Sequence, residues 1–362
     1  MFPKFLFHAQ ISLVAIFILG LSSLLLFLVA APAWAKLSSE QPVLASVAAQ
    51  DDPVLDQFIF LPLVQRSPSG WSSQTSGVVS DLFGVGCAAG GQDCQIAGRA
   101  LVLKTDNGGA SWTPVTPPVA GLELYDVSCP TPSRCVAVGK SGSSAGLILV
   151  TNNGGASWTT FNQAYLMWSV DCISADECVV VGDESEARFT FNGGASWSDG
   201  RLGNTPLYGV DCVAAKTCWM VGVGGRVIGT YPNPNGPDGI GVIPKKDLLI
   251  KEEKSLLSIS CVQQSTCVAV GEIGKIFKTT NTGGSWVERA SGTGERLTGV
   301  SCPDASFCYA VGYNGTALIS SDGGSSWAPE LSLTAENLEA IDCFGPTNCV
   351  AVGANGTILR RN

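Results

Sequence analysis

From Trp71 onward the chain is built of short apolar runs that recur. Cys135-Val136-Ala137-Val138-Gly139, Cys178-Val179-Val180-Val181-Gly182, Cys267-Val268-Ala269-Val270-Gly271 and Cys349-Val350-Ala351-Val352-Gly353 are nearly continuous in apolar character. Runs this short, bounded by turn residues, read as strands buried on both faces. In the second repeat the run is preceded by an inner strand, Leu124-Tyr125-Asp126-Val127-Ser128-Cys129. It is followed by a third strand, Gly146-Leu147-Ile148-Leu149-Val150-Thr151, and an outermost one, Trp158-Thr159-Thr160-Phe161. The unit occurs seven times, and its first Cys recurs at intervals between 40 residues (Cys172 to Cys212) and 49 residues (Cys212 to Cys261). A period in this range marks a propeller or solenoid. The pattern predicts an all-β fold over 66–362, a seven-bladed β-propeller of four-stranded antiparallel blades. Radial repetition of this kind leaves only short strand edges.

The ends of the repeat predict how the ring closes. The last copy stops at Gly356-Thr357-Ile358-Leu359-Arg360-Arg361-Asn362, inside its third strand, while an unmatched Gly70-Trp71-Ser72 precedes the first. The segment near Trp71 is therefore expected to supply the outer strand of the last blade. Upstream, residues 1–35 carry Lys4, an apolar run from Ile11 to Ala31 and the small-x-small ending Ala33-Trp34-Ala35. This reads as a signal peptide cut before Lys36. The run is also long enough to span a bilayer as an uncleaved anchor, the one route to membrane contact. Either reading exports the rest, and no Cys follows the run to carry a lipid. Residues 36–65 form a connector with the apolar run Phe58 to Val64, read as a clasp on the propeller or an attachment to a surface or partner. Pro62 keeps that run out of a central strand.

Cysteine usage fits export. All 14 cysteines fall into seven pairs. They are Cys87 with Cys94, Cys129 with Cys135, Cys172 with Cys178, Cys212 with Cys218, Cys261 with Cys267, Cys302 with Cys308 and Cys343 with Cys349. Each pair flanks the turn between the first two strands of a repeat, where facing residues meet disulfide limits. Metal binding is the rival, but the spacing is not that of a zinc knuckle. We read seven intra-blade disulfides, which persist in oxidising compartments, and no metal or other cofactor.

Charge and composition narrow the chemistry. The net charge is −9 and no basic run stands out, which argues against nucleic acid. The only histidine, His8, lies in the leader. A mature domain without His has no His-dependent triad and no His metal ligand, leaving carboxylates, Tyr and Lys for acid–base work.

Five of the turns follow Ser/Thr-x-Asp/Asn-x-Gly-x-Ser/Thr-Trp, as in Thr105/Asn107/Gly109/Ser111/Trp112 and Ser320/Asp322/Gly324/Ser326/Trp327. Asn or Asp caps backbone N–H groups there, Gly takes positive φ, and the Trp buries a large ring. Together with the Cys-Val-Ala-Val-Gly strands and Gly-x-Ile-Leu-x-Thr third strands, these turns resemble the Asp-box (BNR-type) β-propellers. Within that group residues 70–362 look most like relatives of the photosystem II assembly/stability factor family. The resemblance implies a non-enzymatic, exported propeller that binds another protein during assembly. The alternative is a carbohydrate-active hydrolase or glycan-binding module of the sialidase-like type, since sialidases also carry Asp boxes. Arg99, Arg134, Arg188 and Arg226 sit in repeat positions without the context of a sialidase arginine trio.

A ligand, protein or glycan, is expected on one face of the disc. Cystine turns and Asp-box turns share a face; the opposite face carries the second-to-third strand turns and the variable inter-blade loops, read as 113–123, 159–166, 198–206, 288–296 and 328–337. Function concentrates on such loops over a rigid scaffold. Four residues before each first Cys is a position that does not repeat: Phe83, Tyr125, Trp168, Tyr208, Leu257, Thr298 and Glu339. Four consecutive aromatics there read as inter-blade packing or as an arc for a peptide or sugar ring. The fourth repeat replaces its Asp box with Thr230-Tyr231-Pro232-Asn233-Pro234-Asn235-Gly236-Pro237 and a charged run through Lys254, read as a solvated loop or a docking edge.

Overall fold

The computed structural model describes residues 70–362 except 118, 143–144, 237–238 and 248–253. The leader reading of 1–35 and the connector reading of 36–65 lie outside the described residues. The described chain forms seven four-stranded antiparallel sheets, the blades of one propeller. Blade 2 is typical: Leu122–Ser128, Cys135–Ser141, Ala145–Thr151 and Thr159–Gln163 run from the centre outward. The second strand of each blade is almost wholly buried, because a neighbouring blade covers each of its faces.

The ring closes as the repeat predicts. Trp71–Gln74 pairs antiparallel with the third strand of blade 7, in the register Trp71↔Arg361 to Gln74↔Ile358.

All seven cystines lie within blades. Cys87 bonds Cys94, Cys129 bonds Cys135, Cys172 bonds Cys178 and Cys212 bonds Cys218. Cys261 bonds Cys267, Cys302 bonds Cys308 and Cys343 bonds Cys349. In five blades the two cysteines stand directly opposite in the ladder, as Cys87↔Cys94 and Cys212↔Cys218 do. In blades 2 and 6 the ladder ends one pair earlier, at Ser128↔Val136 and Ser301↔Tyr309. There Cys129–Cys135 and Cys302–Cys308 close the hairpin just beyond it. The second cysteine of each pair is the first or second residue of a second strand and is buried, Cys94, Cys218 and Cys308 among them.

Seven apolar clusters fill the gaps between blades. One joins Val350, Val352 and Ile358 of blade 7 to Leu82, Val85 and Ile96 of blade 1. Another packs Trp71 with Tyr309 of blade 6 and Leu338 of blade 7. Beside these clusters runs a circle of hydrogen bonds. The residue before the first Cys of a blade accepts the amide of the first Cys of the next blade. Ser128 Oγ takes Cys172 N (3.1 Å), Asp171 takes Cys212 N (2.8 Å) and Asp211 takes Cys261 N (2.9 Å). Ser260 takes Cys302 N (3.0 Å), Ser301 takes Cys343 N (3.1 Å), and Asp342 returns to blade 1 at Cys87 N (2.8 Å). Blade 1 has Gly86 at this position. A Cβ there would lie 2.4 Å from Val127 O, so blades 1 and 2 meet backbone to backbone instead.

The Asp-box turns are capped as the motif implies. In blade 2, Gly155 N and Asn153 N both donate to Thr151 Oγ1 (2.9 and 3.3 Å), and Ser157 N donates to Asn153 Oδ1 (2.9 Å). Buried cations from the preceding blade reach some of these turns: Arg360 Nη1 donates to Gly108 O, and Lys278 Nζ to Ser325 Oγ (2.9 Å).

Two expectations change. The five ranges read as inter-blade loops each overlap the outer strand of a blade: Thr113–Val115, Thr159–Gln163, Ser198–Arg201, Val287–Arg289 and Ala328–Pro329. These edge strands are short and largely solvent-facing, so they carry no apolar signature. The fourth repeat's insertion is no open loop up to Asp247. Arg226–Pro232 and Ile240–Asp247 pair as a hairpin, with Pro232↔Ile240 next to the turn. The Lys245-Lys246-Asp247 run is part of that outer strand.

Candidate functional site

In every blade the residue four before the first Cys is skipped by the ladder. The register shifts between Leu82 and Gly84, Leu124 and Asp126, Met167 and Ser169, Leu207 and Gly209, Leu256 and Ser258, Leu297 and Gly299, and Leu338 and Ala340. A bulge leaves its extra residue unpaired and re-aims its side chain. The preceding Leu or Met is fully buried in each blade and anchors the core. The bulged residues Phe83, Tyr125, Trp168, Tyr208, Leu257, Thr298 and Glu339 all line one cavity of about 550 Å³ at the mouth of the central channel. That volume is in the range of ligand pockets. A second cavity, about 350 Å³, lies nearer the cystine turns of blades 1–3, where Cys87, Cys129 and Cys172 line it. No cysteine lines the larger cavity. The cystines, including Cys87–Cys94, Cys212–Cys218 and Cys302–Cys308, staple the blades and stand apart from the arc.

The four aromatics form a continuous arc. Phe83 meets Tyr125 edge-on at 5.9 Å, Tyr125 stacks on Trp168 at 4.6 Å, and Trp168 meets Tyr208 edge-on at 5.8 Å. All four are half-buried. Such pairs gain about 0.5–1.5 kcal/mol beyond area burial, so the arc packs blades and also presents ring surface. Leu257, Thr298 and Glu339 complete the rim. Thr298 Oγ1 donates to Leu338 O (2.7 Å), while burial pushes the Glu339 carboxyl up against the opposing pull of Arg296.

A second repeat position surrounds the arc with charge. The residue after the Gly that closes each second strand's apolar run is Arg99, Lys140, Asp183, Val223, Glu272, Tyr313 or Ala354, in blade order. Arg99 lies 5.7 Å from the Phe83 ring centre and pairs with Glu123 (2.8 Å) and Asp81 (3.3 Å). Lys140 lies 5.9 Å from the Tyr125 ring centre and pairs with Glu123 (2.9 Å). That Lys140 bond is the main cause holding Glu123 below its ordinary range. In blade 3 the sign reverses: Trp168 Nε1 donates to Asp183 Oδ1 (2.7 Å). Burial raises the Tyr208 phenol, and the Asp183 and Glu272 carboxylates raise it further against the pull of Arg296.

The channel wall below holds four carboxyls, Asp126, Asp171, Asp211 and Asp342, each half-buried and walled in by protein. Desolvation pushes Asp126 up to about 7 and Asp342 to about 6. Asp171 and Asp211 are raised by the same cause, and Asp211 further by the charge of Asp171. Each carboxylate accepts backbone amides of the next blade; Asp126 Oδ2 takes Val170 N (3.0 Å) and Ser169 Oγ (2.8 Å). Each therefore serves as an acceptor that ties its blade to the next. Among the described residues no group of three His, Cys, Asp or Glu stands close enough to hold a metal.

Sequence reasoning located the arc position but missed the charged position and the Asp/Ser acceptor ring. The signal for both was present: fixed offsets from Gly and Cys in each repeat, filled by changing residue types.

No protein-family model matches the chain, and no curated protein matches it in sequence. Solved structures match in fold. YCF48 from Cyanidioschyzon merolae superposes with a TM-score of 0.65 at 18% identity, covering 81% of this chain and 98% of that one. A structure of YCF48 bound to D1 peptide gives 0.64 at 15% identity, covering 83% and 99%.

Proposed function

We propose that the chain is an exported, non-enzymatic scaffold that binds a segment of another protein at the channel mouth. The observation that carries this reading is the seven-fold bulge, which turns one variable residue per blade into a single cavity and groups four aromatics on one half of its rim. Aromatic rings over a rigid frame are the usual anchors of protein recognition. A propeller of similar fold is known bound to a D1 peptide, which supports a peptide as the class of ligand. Seven cystines support an oxidising compartment.

The test is capture with the immobilised full chain from the native secreted and membrane fractions, set against the double variant Trp168→Ala/Tyr208→Ala. The expected result is a defined protein retained by the wild type and lost by the variant, with melting temperatures within about 5 °C. Retention that is unchanged by the variant, or lost only because the fold melts, overturns the reading. Hydrolysis of glycosides, or retention of glycans instead of protein, would replace it with the carbohydrate reading.

A further inference from the structure

We propose that the channel mouth takes a lysine or arginine side chain of the partner segment, seated against Trp168 and Tyr208. This rests on the protein-binding reading above and names the chemistry of the bound segment. The argument is a comparison of blades within one molecule. In blades 1 and 2 the arc residue has a complete set of neighbours, an aromatic ring, a cation and a carboxylate: Phe83 with Arg99 and Asp81, and Tyr125 with Lys140 and Glu123. In blade 3 the position held by Arg99 and Lys140 is Asp183, bonded to the Trp168 indole. In blade 4 it is Val223, and the Tyr208 ring feels the charge of Asp183 from blade 3, with Arg296 opposing it. Among the described residues no cation sits over Trp168 or Tyr208. At Trp168 the ring and the carboxylate are there without a cation over the ring; the member that completes that set has to come from outside the chain.

The rest of the cavity favours the same sign. Its wall holds Asp126, Asp211 and Asp342, and its rim holds Glu339. Among the described lining residues Arg296 is the one cation; it lies 5.4 Å from the Tyr313 ring centre, and its charge also reaches Tyr208 and Glu339. A cation within about 6 Å of an aromatic face is attracted by the ring quadrupole, most strongly by Trp, and more so where water is excluded. Flanking carboxylates add Coulomb attraction that salt weakens; the attraction is smaller where burial keeps a proton, as at Asp126.

The experiment uses the full chain and two short fluorescent peptides alike except that one carries lysines where the other carries glutamates, read by anisotropy at low and high salt. The lysine peptide should bind, more weakly at high salt, and the glutamate peptide should not. Asp183→Asn keeps an acceptor for the Trp168 indole and removes only the charge; it should weaken the lysine peptide several-fold. Asp183→Lys installs in blade 3 the cation that Lys140 supplies in blade 2 and should weaken it about tenfold or more. Melting curves of both variants establish that they fold. Preference for the glutamate peptide, or equal binding of the lysine peptide by wild type and a folded Asp183→Lys, overturns the proposal. If a client is captured through Trp168 and Tyr208 while the lysine peptide binds nowhere, the scaffold reading stands and the cationic ligand falls.

Discussion

Trp71→Ala is the sharpest probe of the closed ring. Trp71 is 3% exposed and packs against Tyr309, Leu338 and Leu359. Its indole donates to Glu330 Oε2 (2.7 Å), and Glu330 pairs with Arg361 (3.0 Å), which lies 4.8 Å from the Tyr309 ring centre. Truncating a buried Trp to Ala costs about 3–5 kcal/mol. Glu330 keeps its Arg361 partner, so little is added for an orphaned carboxylate. For a domain of about 300 residues the unfolding entropy is about 0.6 kcal/mol/K, so the melting temperature should fall by about 5–8 °C. Trp71→Phe keeps most of the ring but loses the donor, and about 1–3 kcal/mol should go with it. Val79→Ala, at a residue 86% exposed, is the control and should move the midpoint by no more than about 1 °C. The assay is a thermal melt of oxidised protein, followed by amide exchange. Protection should fall first in Ile358–Arg361, the strand that Trp71–Gln74 covers. A Trp71→Ala midpoint equal to that of Val79→Ala, or exchange that rises in blades away from the seam, refutes the argument.

Two further predictions follow from the channel. The raised carboxyls of Asp126, Asp171, Asp211 and Asp342 keep protons in the folded state that the unfolded chain releases, so these groups destabilise the fold progressively as pH rises from about 4, the unfolded value, to about 7, where Asp126 titrates. Asp322, held well below its ordinary range chiefly by the Ser326 hydroxyl, acts in the opposite sense below that window. Melting temperature should therefore decline between mildly acid and neutral pH and decline less in Asp342→Asn; a rise across that window in the wild type that the variant leaves unaltered counts against it. Gly86→Ala should lower expression and melting temperature more than any exposed glycine replacement, since its Cβ meets the Val127 carbonyl at 2.4 Å; a variant as stable as wild type would mean that blades 1 and 2 can part freely.

Much of the fold was legible because its determinants repeat by residue type. Cys-x5-Cys spacing puts cystines opposite each other in a hairpin, and the wider Cys87–Cys94 spacing still meets in register. The unmatched Trp71 announces a strand in search of a sheet. The outer strands were legible only in part: the one read at Trp158–Phe161 lies at Thr159–Gln163, while Thr113–Val115 and Ala328–Pro329 are exposed edges with no apolar period. At the site, the bulge made the arc position look merely variable. The acceptor ring was hidden because Ser and Asp do the same work, receiving an amide from the next blade. The charged position was hidden because its meaning lies in the reversal from Arg99 and Lys140 to Asp183 and Glu272, which shows only once the rings beside it are placed. The fourth repeat misled for a related reason, since Pro232 to Pro237 reads as a break although the strands on either side pair across it.

The cystines carry one more consequence, for biogenesis. Every sulfur bridge joins residues six or seven apart in the sequence, and none crosses between blades or spans the seam. Correct oxidation thus requires no long-range native contact. Each pair can be matched as soon as its own hairpin emerges into an oxidising environment, before its neighbours exist. A chain crowded with thiols is thereby spared a search among mispaired isomers, and the slow step left to it is bringing Trp71–Gln74 onto a partner strand translated nearly three hundred residues later.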